Sequence, residues 1–168
     1  VSTAGLEANG ASGPPSISGD GRYVVFASAA SNLVAGDTNN ASDIFLRDRT
    51  AGTTERISQS IDEVLLPIDD GSLSSTISSD GRYVAYESVA STLVPGDTNQ
   101  LADVFVQDRT TGLTTRISLT SAGRQASYIS YDPALSSDGS VVAFASDAPL
   151  MPGDSNGIAD VFVFEPFA

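Results

Sequence analysis

The sequence predicts an all-β protein built from three copies of one four-stranded unit. A ten-residue phrase occurs three times, as GDTNNASDIF (36–45), GDTNQLADVF (96–105) and GDSNGIADVF (153–162). Segments 15–58 and 75–118 align without a gap and are identical at 26 of 44 positions, so the repeat is close to 60 residues long. No segment shows a convincing helical pattern of apolar residues. Repeats of this length are typical of solenoids and propeller blades.

Four short strands are predicted in each repeat. In the first copy they are PSIS (15–18), RYVVFAS (22–28), DIFLRDR (43–49) and TTERIS (53–58). Val, Ile, Tyr, Phe and Thr dominate these segments, and Gly, Asp, Asn and Pro bound them. Four antiparallel strands per repeat predict a β-propeller blade. The long connections, including those at 59–74 and 119–132, are expected on the same face as the repeated phrase.

The third copy is shorter than the other two. It begins at Pro133, ends near Glu165 and lacks one residue before Gly153. We therefore expect a single propeller-type domain over residues 1–168, with blades at approximately 1–58, 59–118 and 119–168.

The number of strands leaves the predicted propeller incomplete. Eleven strands are predicted, together with a two-residue stump at Val1-Ser2 that matches Ile57-Ser58. Propellers close with about four to eight blades, so three blades predict a partial propeller or half of a six-bladed assembly. The last strand would present unpaired backbone groups that favour pairing with another chain.

The first repeat resembles a known family of bacterial repeats. The segment SISGDGRYVVFASAASNLVAGDTNNASDIFLRDRTAGTTERIS is similar to the TolB-type, WD40-like propeller repeat. The third copy departs from the pattern, with Ser140-Val141 in place of Arg22-Tyr23 and Glu165-Pro166 in place of Asp48-Arg49. The resemblance implies a secreted, periplasmic or cell-surface protein of the six- or seven-bladed type, which binds partners rather than catalysing a reaction.

The composition excludes several classes of function. The chain of 168 residues contains no histidine and no cysteine, its eight basic residues are all arginine, and its net charge is −13. A Ser-His-Asp triad, a cysteine nucleophile and a lysine Schiff base are therefore impossible. The negative charge disfavours nucleic acid and anionic lipid as partners, and no apolar run approaches the roughly 20 residues that span a bilayer.

The repeated phrase is a candidate calcium site in each blade. Alternating oxygen-bearing residues after a glycine provide ligands of the kind that Ca²⁺ binds. The alternative is a structural turn, in which Asp and Asn bond their own backbone. The candidate ligands are Asp37, Asn39, Asp43, Asp97, Asn99, Asp103, Asp154, Asn156 and Asp160. Calcium is the one cofactor that the sequence suggests.

Other recurring polar residues are expected to be structural. The Asp-Gly pairs at 20–21, 80–81 and 138–139 are expected to supply the positive φ angles of a tight turn. Asp48-Arg49 and Asp108-Arg109 are expected to form ion pairs or hydrogen-bonded turns, and Tyr128 and Tyr131 to pack between blades. A specific ligand would be sought at linker residues that break the repeat: Glu63, Asp69, Asp70, Arg124, Tyr128 and Tyr131.

The sequence therefore predicts a non-enzymatic extracellular or envelope propeller module with a binding or scaffolding role, with calcium as a candidate stabilising ion. Its partner would be another protein, or a second copy joined through open strand edges. One alternative is a self-assembling extracellular structural protein. Another is a propeller fragment of a glycoside-active enzyme, since two carboxylates can cleave a glycoside.

Overall fold

The computed structural model describes residues 1–59 and 72–165, which form three antiparallel sheets. Blade 1 contains β1 (Ser12–Ile17), β2 (Tyr23–Ser28), β3 (Asp43–Asp48) and β4 (Thr53–Arg56). Blade 2 contains β5 (Ser72–Ile77), β6 (Tyr83–Ser88), β7 (Asp103–Asp108) and β8 (Leu113–Arg116). Blade 3 contains β9 (Ser130–Leu135), β10 (Val142–Ser146) and β11 (Asp160–Phe164). Strands that are consecutive in sequence pair within each sheet, so the predicted all-β architecture is confirmed.

The strand register repeats from blade to blade. Phe26 pairs with Phe45, Tyr86 with Phe105, and Phe144 with Phe162. The ring centroids of these pairs lie 6.1, 5.8 and 6.1 Å apart. Aromatic cross-strand pairs of this kind stabilise a sheet, and they place the same contact at the centre of every blade.

The first strand of each blade is longer than the sequence predicts. In blade 1 it begins at Ser12, and its register shifts between Ser12 and Pro15. Blade 2 has the same irregularity between Ser72 and Ser75. A bulge admits proline, which lacks an N–H for the ladder, so the prediction that the strand starts at Pro15 was wrong by three residues.

The alignment predicted for the first two residues is also wrong. The amide of Gly5 donates to Ser2 O at 2.9 Å, and the amide of Gly123 donates to Thr120 O at 2.8 Å in an equivalent turn. Ser2 therefore corresponds to Thr120 and not to Ser118. The two turns share a Ser/Thr-x-Ala-Gly pattern that an alignment anchored on the strands does not include.

Hydrophobic cores lie between the blades. The first joins Ile44 and Leu46 of β3 to Val84 and Tyr86 of β6. The second joins blade 2 to blade 3, with Val104, Val106, Val142 and Phe144 among its members. Alternate residues of a strand point to the same face, so one face of each third strand covers the next blade.

Both ends of this stack expose apolar side chains. Val161 and Val163 of β11 are 74% and 66% exposed, although the equivalent Val104 and Val106 of β7 are buried. At the other end, Ile17 is 57% exposed whereas the equivalent Ile77 is buried. The described blades therefore form an open arc with an apolar surface at each end.

In blades 1 and 2, a tyrosine packs against a glycine of the following blade. The Tyr23 ring lies where a Cβ on Gly81 would be, and the Tyr83 ring lies against Gly139 in the same way. The Arg109 guanidinium lies 4.4 Å from the centre of the Tyr23 ring and pairs with Glu55 at 3.0 Å. These contacts supplement the apolar cores with cation–π attraction.

Backbone hydrogen bonds also cross the junctions. The amide of Gly19 donates to Ser79 O at 2.8 Å, and the amide of Ser79 donates to Ser137 O at 2.7 Å. The first hairpin turns of the three blades are therefore linked in a row. Among the described residues, no helix has the length and apolarity needed to cross a lipid bilayer.

We expect Gly81→Ala to destabilise the protein more than Gly112→Ala does. Both glycines have positive φ, 74° and 73°, which costs an alanine about 1–2 kcal/mol. Only at Gly81 does the added Cβ meet a neighbour, the Tyr23 ring, and overpacking adds about 1–3 kcal/mol. Urea unfolding of the two variants measures this difference. Equal losses of stability would show that the Tyr23 contact contributes nothing.

Candidate functional site

The candidate site is the loop between the second and third strands of each blade. Leu33 and Leu93 are buried and fix the loops of blades 1 and 2 to the core, and Leu150 does the same in blade 3. Asn40 follows Asn39 with φ of 56°, and Gln100 follows Asn99 with φ of 57°. In blade 3 the same position is Gly157, with φ of 69°. A left-handed residue at the same position shows that the three loops turn in the same way after the asparagine.

The asparagine of each loop forms a local turn. Asn39 accepts the amide of Ala41 at 3.1 Å through Oδ1 and donates to Asp43 Oδ2 at 3.0 Å through Nδ2. Asn99 and Asn156 form the same two bonds in blades 2 and 3. The asparagine oxygen that a cation would require is therefore already accepting a backbone hydrogen bond.

The second aspartate of the loop is buried at the start of the third strand. Asp43 Oδ1 accepts from Ser58 Oγ at 2.7 Å, and Ser58 Oγ accepts the amide of Ile44 at 3.0 Å. Asp103 and Ser118 repeat the arrangement in blade 2. The serine of the Arg-Ile-Ser sequence thus connects the fourth strand to the loop.

An arginine from the fourth strand lies between the two aspartates of the loop. Arg56 Nη1 is 3.4 Å from Asp37 Oδ1 and 3.3 Å from Asp43 Oδ2. In blade 2, Arg116 Nη1 is 3.0 Å from Asp97 Oδ1 and 3.4 Å from Asp103 Oδ2. The sequence analysis missed these arginines, although the recurring Arg-Ile-Ser at 56–58 and 116–118 was the available signal.

Burial raises the pKa of three loop carboxyl groups, those of Asp37, Asp97 and Asp103. The pKa of Asp37 is raised by desolvation and then by the charge of Asp43, while Arg56 opposes both effects. Desolvation is also the main cause that raises the pKa of Asp97 and Asp103, and Arg116 lowers both. The guanidinium therefore compensates two carboxylates that are costly to bury.

Blade 3 presents the same loop without an arginine. Asn156 Nδ2 donates to Asp160 Oδ2 at 3.0 Å, so the loop is formed as in the other blades. Neither Asp154 nor Asp160 has an ion pair among residues 1–59 and 72–165. The loop and β11 border an open depression of about 510 Å³ that Asp154, Asn156, Asp160 and Phe162 help to line.

Calcium binding by these loops stays a prediction. Each loop contributes two carboxylates, and no group of three or more Asp, Glu, His or Cys side chains that could hold a metal occurs in the described part of the chain. Ca²⁺ takes six to eight oxygen ligands, so carbonyls and water would have to supply most of them. The hydrogen bonds of Asn39 and Asp43 favour the structural-turn alternative in blades 1 and 2.

The Ser-x-Asp-Gly segments form structural turns, as predicted. Asp20 Oδ1 accepts from Ser18 Oγ at 2.6 Å and from the amide of Arg22 at 2.9 Å. The corresponding hydrogen bonds from Ser136 and Ser140 lower the pKa of Asp138 to about 2. Only the glycine of each pair has positive φ, because the aspartate acts as the cap and not as a left-handed residue.

Asp48 and Asp108 form the predicted ion pairs and turns. Asp48 pairs with Arg22 at 2.7 Å and accepts the amide of Thr50. The pairing with Arg82 holds the pKa of Asp108 at about 2. Arg22 and Arg82 lie immediately before the second strand of their blades, a position that the sequence analysis did not assign to the pairs.

The linker residues give a mixed outcome. Tyr128 is 58% exposed, so the prediction that it packs between blades was wrong. Tyr131 lies in β9 and its hydroxyl is 3.5 Å from Asp147 Oδ1, while Arg124 is exposed. Glu63, Asp69 and Asp70 lie outside the described residues.

Solved structures share this fold over nearly the whole chain. TolB from Acinetobacter baumannii matches with a TM-score of 0.55 and 17% identity, over 96% of this chain and 31% of that one. The chain has a TolB-like β-propeller fold. A putative TolB from Agrobacterium tumefaciens matches with a TM-score of 0.56 and 16% identity, over 91% of this chain and 46% of that one. The tricorn protease matches with a TM-score of 0.58 and 18% identity, over 95% of this chain and 14% of that one.

The chain therefore spans about a third of TolB from Acinetobacter baumannii. No family model matches the sequence, and no curated protein matches it either. At these identities the likeness establishes the TolB-like fold.

We expect Arg116→Gln to destabilise the protein at pH 7 by about 3–5 kcal/mol, because it leaves two buried carboxylates uncompensated. The pKa of Asp97 and Asp103, already raised in the fold, would rise further. A raised folded pKa means that the folded state binds protons more tightly, so acidification stabilises it relative to the unfolded state. The loss of stability should therefore shrink as the pH falls from 7 towards 4.

Urea unfolding of wild type and variant across this pH range measures the effect. The exposed Arg124→Gln removes the same charge and should cost less than about 0.5 kcal/mol at every pH. A pH-independent loss in Arg116→Gln would contradict an electrostatic role for this arginine.

Proposed function

We propose that the chain is a non-enzymatic propeller module that binds a protein partner or serves as a scaffold outside the cell or in the cell envelope. The exposed end of blade 3 carries this proposal. Val161 and Val163 are 74% and 66% exposed at positions that are buried in the other two blades. The apolar face of the third strand is buried in blades 1 and 2 and exposed in blade 3. This pattern fits a surface that another blade covers.

The charges support a non-catalytic role for the recurring acids. The buried Asp37, Asp43, Asp97 and Asp103 are engaged by arginines within the blades. A catalytic carboxylate pair would instead converge at one place. The same residues in register in successive blades fit a role in building the blade.

Self-association is a second proposed function that the two ends of the arc favour. Ile17 is 57% exposed on the outer face of blade 1, opposite in the arc to the exposed Val161 and Val163. Contact between these two ends would repeat the buried junction of blades 1 and 2, where Ile77 packs in the same core as Ile44 and Leu46. Two copies joined at both ends would give the six blades of a closed ring.

We expect Val163→Asp to reduce association that the wild-type chain shows, since a charge at the apolar end opposes its burial. Light scattering on a concentration series measures the native mass against the 17.2 kDa of one chain. Leu113→Asp is the matched control, because Leu113 is 64% exposed on β8, away from that end. A wild-type chain that stays monomeric at high concentration would contradict self-association.

Calcium stabilisation is proposed as a property of the same loops, and it has its own test. With 2 mM calcium and a Kd of about 0.1 mM, one site stabilises the fold by about 1.8 kcal/mol. Melting in calcium and in chelator should then differ, and Asp154→Asn should reduce the difference. This loop is the clearest probe, because no arginine pairs with Asp154 among the described residues. Identical melting temperatures in calcium and in chelator would refute the proposal.

A further inference from the structure

We propose that the open edge of β11 binds an extended segment whose arginine enters the space between Asp154 and Asp160. The inference rests on the proposed binding function and names the chemistry of the partner: an antiparallel strand with an Arg-Ile-Ser sequence. Two complete copies of this arrangement within the chain provide the template.

In the template, the fourth strand makes three linked contacts. Its arginine lies opposite the central phenylalanine of the third strand, as Arg56 pairs with Phe45 and Arg116 with Phe105. The isoleucine that follows is buried and its amide bonds the third strand, at 2.7 Å from Ile57 to Ile44 O. The serine after it bonds the loop aspartate. Arg-Ile-Ser therefore forms one unit of recognition.

Blade 3 contains the residues that an Arg-Ile-Ser strand would contact. Among the described residues, β11 pairs with β10 alone, so no described strand occupies its other edge. Phe162 has the register of Phe45 and Phe105, since it pairs with Phe144 of β10. The depression at this edge, about 510 Å³, is bordered by Gly153, Asp154, Asn156 and Asp160. This is where the fourth strand runs in blades 1 and 2.

The two carboxylates of Asp154 and Asp160 favour an arginine in the strand that binds beside β11. In blade 2, Asp97 and Asp103 share the one Nη1 of Arg116, whereas Asp154 and Asp160 have no cation among the described residues. A guanidinium can serve both carboxylates and still donate to a carbonyl, as Arg116 Nη2 does to Gly96 O at 3.3 Å. Lysine offers a more compact and more strongly hydrated charge, and fits such a fork less well.

A peptide copied from β8 and its flanks tests the inference directly. The probe is a fluorescently labelled, end-capped peptide of sequence GLTTRISL (112–119), titrated with the intact chain and followed by anisotropy. Protein concentrations are kept below those at which light scattering detects association. We expect saturable binding, and binding about tenfold or more weaker for the peptide with Met in place of the arginine, because it leaves the two carboxylates unpaired.

Protein variants locate the contact. Asp154→Asn and Asp160→Asn should each weaken binding of the arginine peptide, by about fivefold or more, and should narrow the difference between the arginine and methionine peptides. Asp132→Asn is the matched control, since it removes one charge from an exposed residue of the same blade and should leave binding unchanged. The methionine peptide needs no change in the protein, so the test does not depend on how the variants fold.

The outcomes separate this inference from the proposed function. Equal binding of the arginine and methionine peptides would overturn the arginine site but leave an edge that binds strands. No binding of either peptide, with association that Val163→Asp still reduces, would overturn the strand inference and leave the binding function standing. If neither peptide binds and Val163→Asp does not reduce association, both the strand inference and the proposed binding function are overturned.

Discussion

Each small sheet is stable only when both of its faces are covered, and the rest of the structure depends on this constraint. A blade of three or four strands of four to six residues has little apolar surface of its own to bury, and isolated sheets of this size are marginally stable in water. The chain meets the need by stacking. Ile44 and Leu46 cover blade 2, and Val104 and Val106 cover blade 3. Each blade is therefore stabilised chiefly by its neighbour, as in other repeat proteins.

The electrostatics follow from this stacking. Burying the third strands also buries the aspartates at their starts, Asp43 and Asp103, and those carboxylates require compensation. The chain has eight basic residues against 21 acidic ones. Five of the arginines form ion pairs within the described parts of blades 1 and 2. After residue 116 the only arginine is Arg124, so blade 3 has many carboxylates and little to compensate them.

Much of the fold could be predicted from the sequence, because the strands and their turns are local patterns that recur with a fixed period. The Phe45 and Phe105 positions and the Asp-Gly turns were available in this way. The contacts between Asp37 and Arg56, and between Tyr23 and Gly81, were not. They join residues 19 and 58 positions apart, and they appear only when strands are paired and blades are stacked. The sequence thus predicted the aspartates of the candidate site but not the arginines that pair with them.

The third blade differs from the others at one more position, and this affects how firmly anything can hold to the end of the arc. Val141 replaces the tyrosine that Tyr23 and Tyr83 present to the following blade, and Ser140 replaces the arginine beside it. A blade packed on this end would lack both the ring seated on glycine and the cation above the ring. Such a joint would be weaker than the two internal ones. If another blade packs on this end, as we propose, dilution would separate the two partners while each arc stays folded.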